Sequence, residues 1–145
     1  MNMTTITTDG QARNTGPYMH RMVERYRNDM LPYVHLSLPE VFDLVKAVPF
    51  QEDPPDRELL QRPYLTMNHL GYGGDCDDKA ICMACYARLV GTPYRFVAVR
   101  RADRNSLHHV FTELYIGNKW IHADATYPFN TLGCERERYS EYVII

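Results

Sequence analysis

Apolar residues recur at helical spacing in the first half of the chain and at alternating spacing in much of the second. Met19, Met22, Val23, Tyr26 and Met30 fall on one helical face, while Arg21, Glu24, Arg25 and Arg27 fill the other. The pattern predicts a helix from Gly16-Pro17 to Pro32, with its methionine-rich stripe packed on the core. A second helix is expected to start at Ser37, which has capping-box spacing to Glu40, and to end at Pro49. Its buried face is Leu38, Val41, Phe42, Val45 and Val48. Residues 51–63 are rich in proline and charge, so they are expected to cross the surface as a loop, with a short turn at 58–61.

The glycine-rich run Gly71-Tyr72-Gly73-Gly74 leads into a third helix that Gly91 and Pro93 terminate. Ala80, Ile81, Ala84, Cys85 and Leu89 make this helix mostly apolar, which predicts a central position. Strands are expected over 94–101, 108–116 and 119–124, the last two joined by the two-residue turn Gly117-Asn118. Residues 142–145 read as an edge strand. Helices first and strands after predict an α+β fold, a central helix packed on a small antiparallel sheet.

Composition narrows the classes. The chain has 145 residues, enough for one domain, and a formal net charge of −2 that gives no bulk attraction to nucleic acid. Arg100, Arg101 and Arg104 form a local basic patch without any reader motif, so a solvated strand end is the expected role. No segment has the apolar length of a membrane span. Residues 1–16 are polar and lack a secretory signal; they read as a flexible arm or a segment ordered by a partner, ahead of a single domain over 17–145. With no sign of export, the four cysteines are expected to be reduced, in a cytoplasmic setting during synthesis.

The candidate chemistry gathers at Cys76. A thiol where a glycine-rich loop becomes a helix meets backbone N–H groups and the positive end of the helix dipole, which favour the thiolate. Asp75, Asp77 and Asp78 oppose this by crowding negative charge around it, so a nearby imidazolium is required. Asp77 or Asp78 could instead stabilise the helix start. Strand parity selects the histidine. If Ile116 pairs with Lys119 across the turn, Phe111 pairs with Asp124, and His109 becomes a diagonal neighbour of Asp124 on one face. His108 points the other way, and a one-residue slip would reverse the assignment.

The roles follow: Cys76 attacks a carbonyl, His109 keeps it ionised and protonates the leaving amine, and Asp124 holds the imidazole. The Cys76 N–H is one oxyanion donor. Asn68, Tyr72 and Gly74 are the candidates for a second donor or a substrate contact. Cys82 and Cys85, with Cys76, Cys134 and His108 or His122, lack a second compact ligand pair, so neither metal nor cofactor is expected. His122 reads as a sheet residue paired with Glu113, and Trp120 and Tyr115 as core.

These residues resemble the transglutaminase-like superfamily of papain-fold cysteine enzymes. The likeness lies in Gly74-Asp75-Cys76 with Asp77-Asp78-Lys79-Ala80, in His109, Phe111 and Glu113, and in Trp120 followed by Asp124-Ala125-Thr126. It implies Cys76, His109 and Asp124 as the triad, in agreement with the parity argument. Phe111 stands where the family usually has Trp, and Ala125 where Pro is commoner. More narrowly, the chain is similar to short transglutaminase-like proteins of tailed phages and prophages, through a helix over 41–48, the Gly-Asp-Cys-Asp-Asp run and Leu132-Gly133. The resemblance covers residues 38–145.

The expected function is acyl transfer through a thioester on a protein or peptide substrate. Hydrolysis of peptide, amide or isopeptide bonds leads, because nothing in the sequence builds an amine site; deamidation and crosslinking share the first half-reaction. The alternative is a virion structural or assembly module on this fold, with the arm and first helix binding neighbouring subunits.

Overall fold

The computed structural model describes residues 3–6, 12–54, 58–68, 73–134 and 137–145. In chain order the elements are β1 (Met3–Ile6), α1 (Ala12–Tyr26), a 3-10 helix (Arg27–Tyr33), α2 (Leu38–Lys46), β2 (Glu58–Gln61), α3 (Pro63–Thr66), α4 (Cys76–Val90), β3 (Tyr94–Arg100), β4 (His109–Ile116), β5 (Lys119–Ala123) and β6 (Glu141–Ile144). Strands β5-β4-β3-β6 form one antiparallel sheet, and β1 pairs with β2 in a separate ribbon. The α+β architecture expected from the pattern is therefore present. No helix among the described residues is long and apolar enough to cross a membrane.

Helix α4 is the centre. Ala80 through Ala87 are all buried, because one side faces the sheet and the other faces α1, the 3-10 helix and α2. Phe96, Ala98, Val110 and Leu114 supply the sheet's contribution to this core. Met19, Met22, Val23 and Met30 supply the contribution of the first helical segments, as the stripe predicts. Gly91 ends α4 in the left-handed region at φ 78°, a conformation that costs glycine little. Ser37 caps α2, with the reciprocal capping box to Glu40 complete.

The N-terminal segment differs from the expected flexible arm. Met3 pairs with Gln61 and Ile6 with Glu58, so residues 58–61 are a strand rather than a surface turn. The expected boundary at Gly16-Pro17 lies inside α1. Gly16 is a packing point, since a Cβ there would stand 2.9 Å from the Cβ of Ile145. Polar composition concealed this, because backbone pairing needs no apolar side chain.

The hairpin sets the register. Gly117 and Asn118 both have positive φ, the geometry of a tight two-residue turn, and Ile116 pairs with Lys119. The sheet face turned away from α4 carries a smaller cluster of Val97, Val99 and Phe111, covered by Tyr139. Tyr115 and Trp120 lie toward the turn end of that face with ring centroids 5.2 Å apart. They are not core: Tyr115 is 40% exposed, and Arg95 lies 4.3 Å over the Trp120 ring.

Candidate active site

The loop before α4 is held by backbone pairing across residues distant in sequence. Gly74 N–H donates to Pro49 O, and Gln51 N–H donates to Gly74 O, both at 3.0 Å. Gly73 adopts φ 65°, and a Cβ there would stand 2.7 Å from Pro49 O. Gly74 is equally constrained, with Asp78 Cβ and Thr66 Cγ2 each 3.0 Å from the site of a Cβ. Both glycines are thus required by close approach. With its N–H committed to Pro49, Gly74 is no oxyanion donor, and of the two roles expected for it substrate contact is the one left.

Asp75 then caps α4. Its Oδ1 accepts from Asp78 N–H at 3.3 Å, and Asp78 Oδ2 accepts from Asp75 N–H at 3.1 Å. Asp78 also accepts from Gln61 N–H at 2.9 Å, which ties β2 to the start of the helix. Burial, then the charges of Asp78 and Asp77, pushes the Asp75 carboxyl upward. Burial raises Asp78 as well, while hydrogen bonds from Gln61 and Asp75 favour its charged form. Burial thus favours the neutral form in this pair, and the negative crowding around the thiol is less than three carboxylates imply.

Cys76 occupies the first position of α4 and is partly exposed, with Sγ 3.7 Å from Asp77 Oδ1. The other cysteines have different settings. Cys82 and Cys85 are sealed in the core, where burial raises both thiols, and Cys134 is exposed. Among the described residues, the group with metal-ligand spacing is Asp53, Asp75 and Asp77, whose oxygens lie within 4.8 Å of one another. A protonated Asp75 weakens that set as a cation cage.

On the sheet, His109 Nε2–H donates to Asp124 Oδ2 at 2.7 Å. The two side chains are 3% and 1% exposed, so this ion-pair partner is shielded from water. Asp124 Oδ1 accepts from Thr126 N–H at 3.1 Å, which fixes the carboxylate. The diagonal predicted from strand parity is the one observed. With Nε2 engaged, Nδ1 is the nitrogen available for chemistry with a thiol. His108 does not turn to the opposite face as expected. It precedes β4, where alternation no longer applies, and its ring centroid is 6.5 Å from that of His109.

Tyr127 links the two halves. Its ring centroid lies 5.1 Å from that of His109, and burial together with the charges of Asp124 and Cys76 pushes its phenol up to about 12. The phenol thus packs on the imidazole within the field of the thiol and the carboxylate. Asn130, 1% exposed, fixes the loop beyond it, with Nδ2–H donating to Asp124 O at 3.4 Å and its carbonyl accepting from Lys46 Nζ at 3.0 Å. Asn68 is half-buried just after α3, and its N–H donates to Leu65 O at 3.2 Å. Tyr72 lies outside the described residues. Glu113 pairs with Arg95 at 2.8 Å and stands 3.6 Å from its sheet partner His122.

Sequence reasoning missed Tyr127, Gln61 and Asn130. An aromatic three residues after Asp124 was the available signal for the first; nothing local marks the other two.

No curated protein matches the chain. Among solved structures, a crystal structure of a proposed cysteine protease from Cytophaga hutchinsonii is similar at 20% identity and a TM-score of 0.47. That match takes in 79% of this chain and 40% of the other, so this chain spans less than half of that protein's length. The family model of the transglutaminase-like superfamily matches residues 40–125, which include Cys76, His109 and Asp124. This chain belongs to the transglutaminase-like superfamily.

Proposed function

We propose that this protein is a cysteine-nucleophile enzyme that cleaves peptide, amide or isopeptide bonds through a thioester. The observation that carries the reading is the buried 2.7 Å bond from His109 to Asp124. A histidine held in this way is poised as a base, and Cys76 at a helix start is a suitable nucleophile.

In the first step His109 Nδ1 takes the thiol proton and Cys76 Sγ adds to the substrate carbonyl. The Cys76 backbone N–H accommodates the developing oxyanion. The tetrahedral intermediate collapses with loss of the amine, to which His109 returns the proton, and Cys76 is left acylated. Water, deprotonated by His109, then adds to the thioester carbonyl; acid is released and the thiol is regenerated. An amine in place of water would give crosslinking, and release of ammonia from glutamine would give deamidation.

Hydrolysis leads, because water is abundant and nothing in the sequence builds an amine site. The similarity to short phage and prophage proteins belongs to this proposal. The assembly-module alternative has less support, because the first helix spends its methionine stripe on this chain's own core, as expected, and keeps only its polar face for a neighbour.

The test is acylation by an activated peptide ester, followed by intact-mass spectrometry. A mass increase confined to Cys76, absent in Cys76→Ala and slowed in His109→Ala, supports the reading. Acylation that persists in Cys76→Ala contradicts it.

A further inference from the structure

The aromatic residues stacked on His109 are not all accounted for by the triad. Phe129 is 39% exposed, yet it stacks on Tyr127 with centroids 5.1 Å apart and planes within 7°. Tyr127 in turn packs on His109 at 5.1 Å. The stack therefore runs from the imidazole outward to solvent.

The loop carrying it is rigidly held. Asn130 N–H donates to Tyr127 O at 3.1 Å, and the Asn130 side chain and carbonyl are tied to Asp124 and Lys46. An exposed phenylalanine on a frayed tip would be unremarkable, but here its position is fixed relative to the reacting atoms.

A second exposed ring lies on the segment that pairs with the loop before α4. Phe50 is 53% exposed and forms a parallel bridge with Gly74, two residues before Cys76. Lys46 joins the two approaches, since Lys46 Nζ donates to Asn130 O at 3.0 Å and Lys46 O accepts from Lys79 Nζ at 3.3 Å. The segment ending in Phe50 and the loop bearing Phe129 thus border the same end of α4.

We propose that Phe129, backed by Tyr127, and Phe50 form a substrate subsite that takes an aromatic or large aliphatic side chain of a polypeptide beside the scissile bond. This rests on the reading of Cys76 as nucleophile. A flat ring face stacked outward from His109 through Tyr127 binds apolar side chains by burial and offset stacking, and offers nothing to a charged one. The occupant is a substrate residue, because the subsite is continuous with His109 through Tyr127.

The experiment uses three dipeptidyl acyloxymethyl ketones that carry Phe, Gly or Glu next to the reactive ketone. In each, the Cys76 thiolate displaces the carboxylate; a C–S bond forms as the C–O bond breaks. Inactivation rate constants are measured for wild type, Phe129→Ala, Phe129→Leu and the control Tyr115→Ala, which lies at the opposite end of β4 from His109. Iodoacetamide labelling of Cys76 is followed in parallel.

In wild type and Tyr115→Ala the Phe probe is expected to react about 10-fold or more faster than the Gly and Glu probes. That ratio collapses toward unity in Phe129→Ala and is partly restored in Phe129→Leu. Selective iodoacetamide labelling of Cys76 without a Phe preference, or with a preference that Phe129→Ala leaves intact, overturns the subsite and spares the catalytic reading. Absence of selective labelling at Cys76 in wild type overturns the catalytic reading, and the subsite with it.

Discussion

His109 and Asp124 meet at 2.7 Å through Nε2 and Oδ2, although they are 15 residues apart and not directly opposite in the ladder. The bond is diagonal, from the first residue of β4 to the residue just past β5. This geometry engages Nε2 and leaves Nδ1 for the thiol in the proposed reaction, which then calls for a carboxylate at 124.

Asp124→Asn tests that requirement. The amide occupies the same volume but cannot stabilise an imidazolium, and it permits the wrong ring tautomer. Acylation of Cys76 by an activated ester is expected to slow by about 10²–10⁴-fold while the far-ultraviolet circular dichroism is retained. A change of less than about threefold would show that Asp124 does not act through His109.

The capping pair gives a pH dependence of stability. Burial raises Asp75 and Asp78 above the ordinary 3.8, so over that range the folded state binds more protons than the unfolded one. Stability from these groups is therefore complete below 3.8 and is lost as pH rises toward their raised values. Asp75→Asn reproduces the neutral form and keeps an acceptor for Asp78 N–H. Its melting temperature is expected to fall less than that of wild type from about pH 5 to about pH 8, ending about 3 °C or more higher. Parallel melting curves in the two proteins would contradict that account.

Gly73→Ala tests the loop. The left-handed φ and the 2.7 Å approach to Pro49 O leave no room for a methyl group. A loss of about 1–3 kcal/mol in denaturant unfolding is expected. Gly117→Ala provides the comparison, since its φ is also positive but nothing lies within 4 Å of the added Cβ. Equal losses in the two variants would mean that backbone conformation alone, and not packing against Pro49, sets the cost at Gly73.

The parts legible in the sequence are those governed by local rules. The Gly117-Asn118 turn fixes the hairpin register, and register carries His109 and Asp124 to one face. The apolar circumference of α4 announces its central place. The parts not legible depend on pairing between distant segments. The pairing of Gly74 with Pro49 and Gln51 leaves no mark on residue type, so the sequence alone does not show that the Gly74 N–H is engaged. The ribbon of β1 with β2 is built from polar and mixed residues, and reads as arm and loop. Asp75 and Asp78 have box spacing, and of the two readings open for Asp78, charge crowding or support of the helix start, the capping box is the second. Tyr127 meets His109 only through the path of the loop after β5, which no periodicity encodes.

The central claim is an activated thiolate at Cys76, and alkylation by iodoacetamide across pH tests it most directly. Peptide mass spectrometry would follow Cys76 beside Cys82, Cys85 and Cys134 in the folded protein, with His109→Ala as the paired control. The account predicts selective labelling of Cys76 well below the ordinary thiol value of about 8.5, and its loss in the control. Labelling of Cys76 that is no faster than that of exposed Cys134, with the same pH profile in His109→Ala, would contradict it.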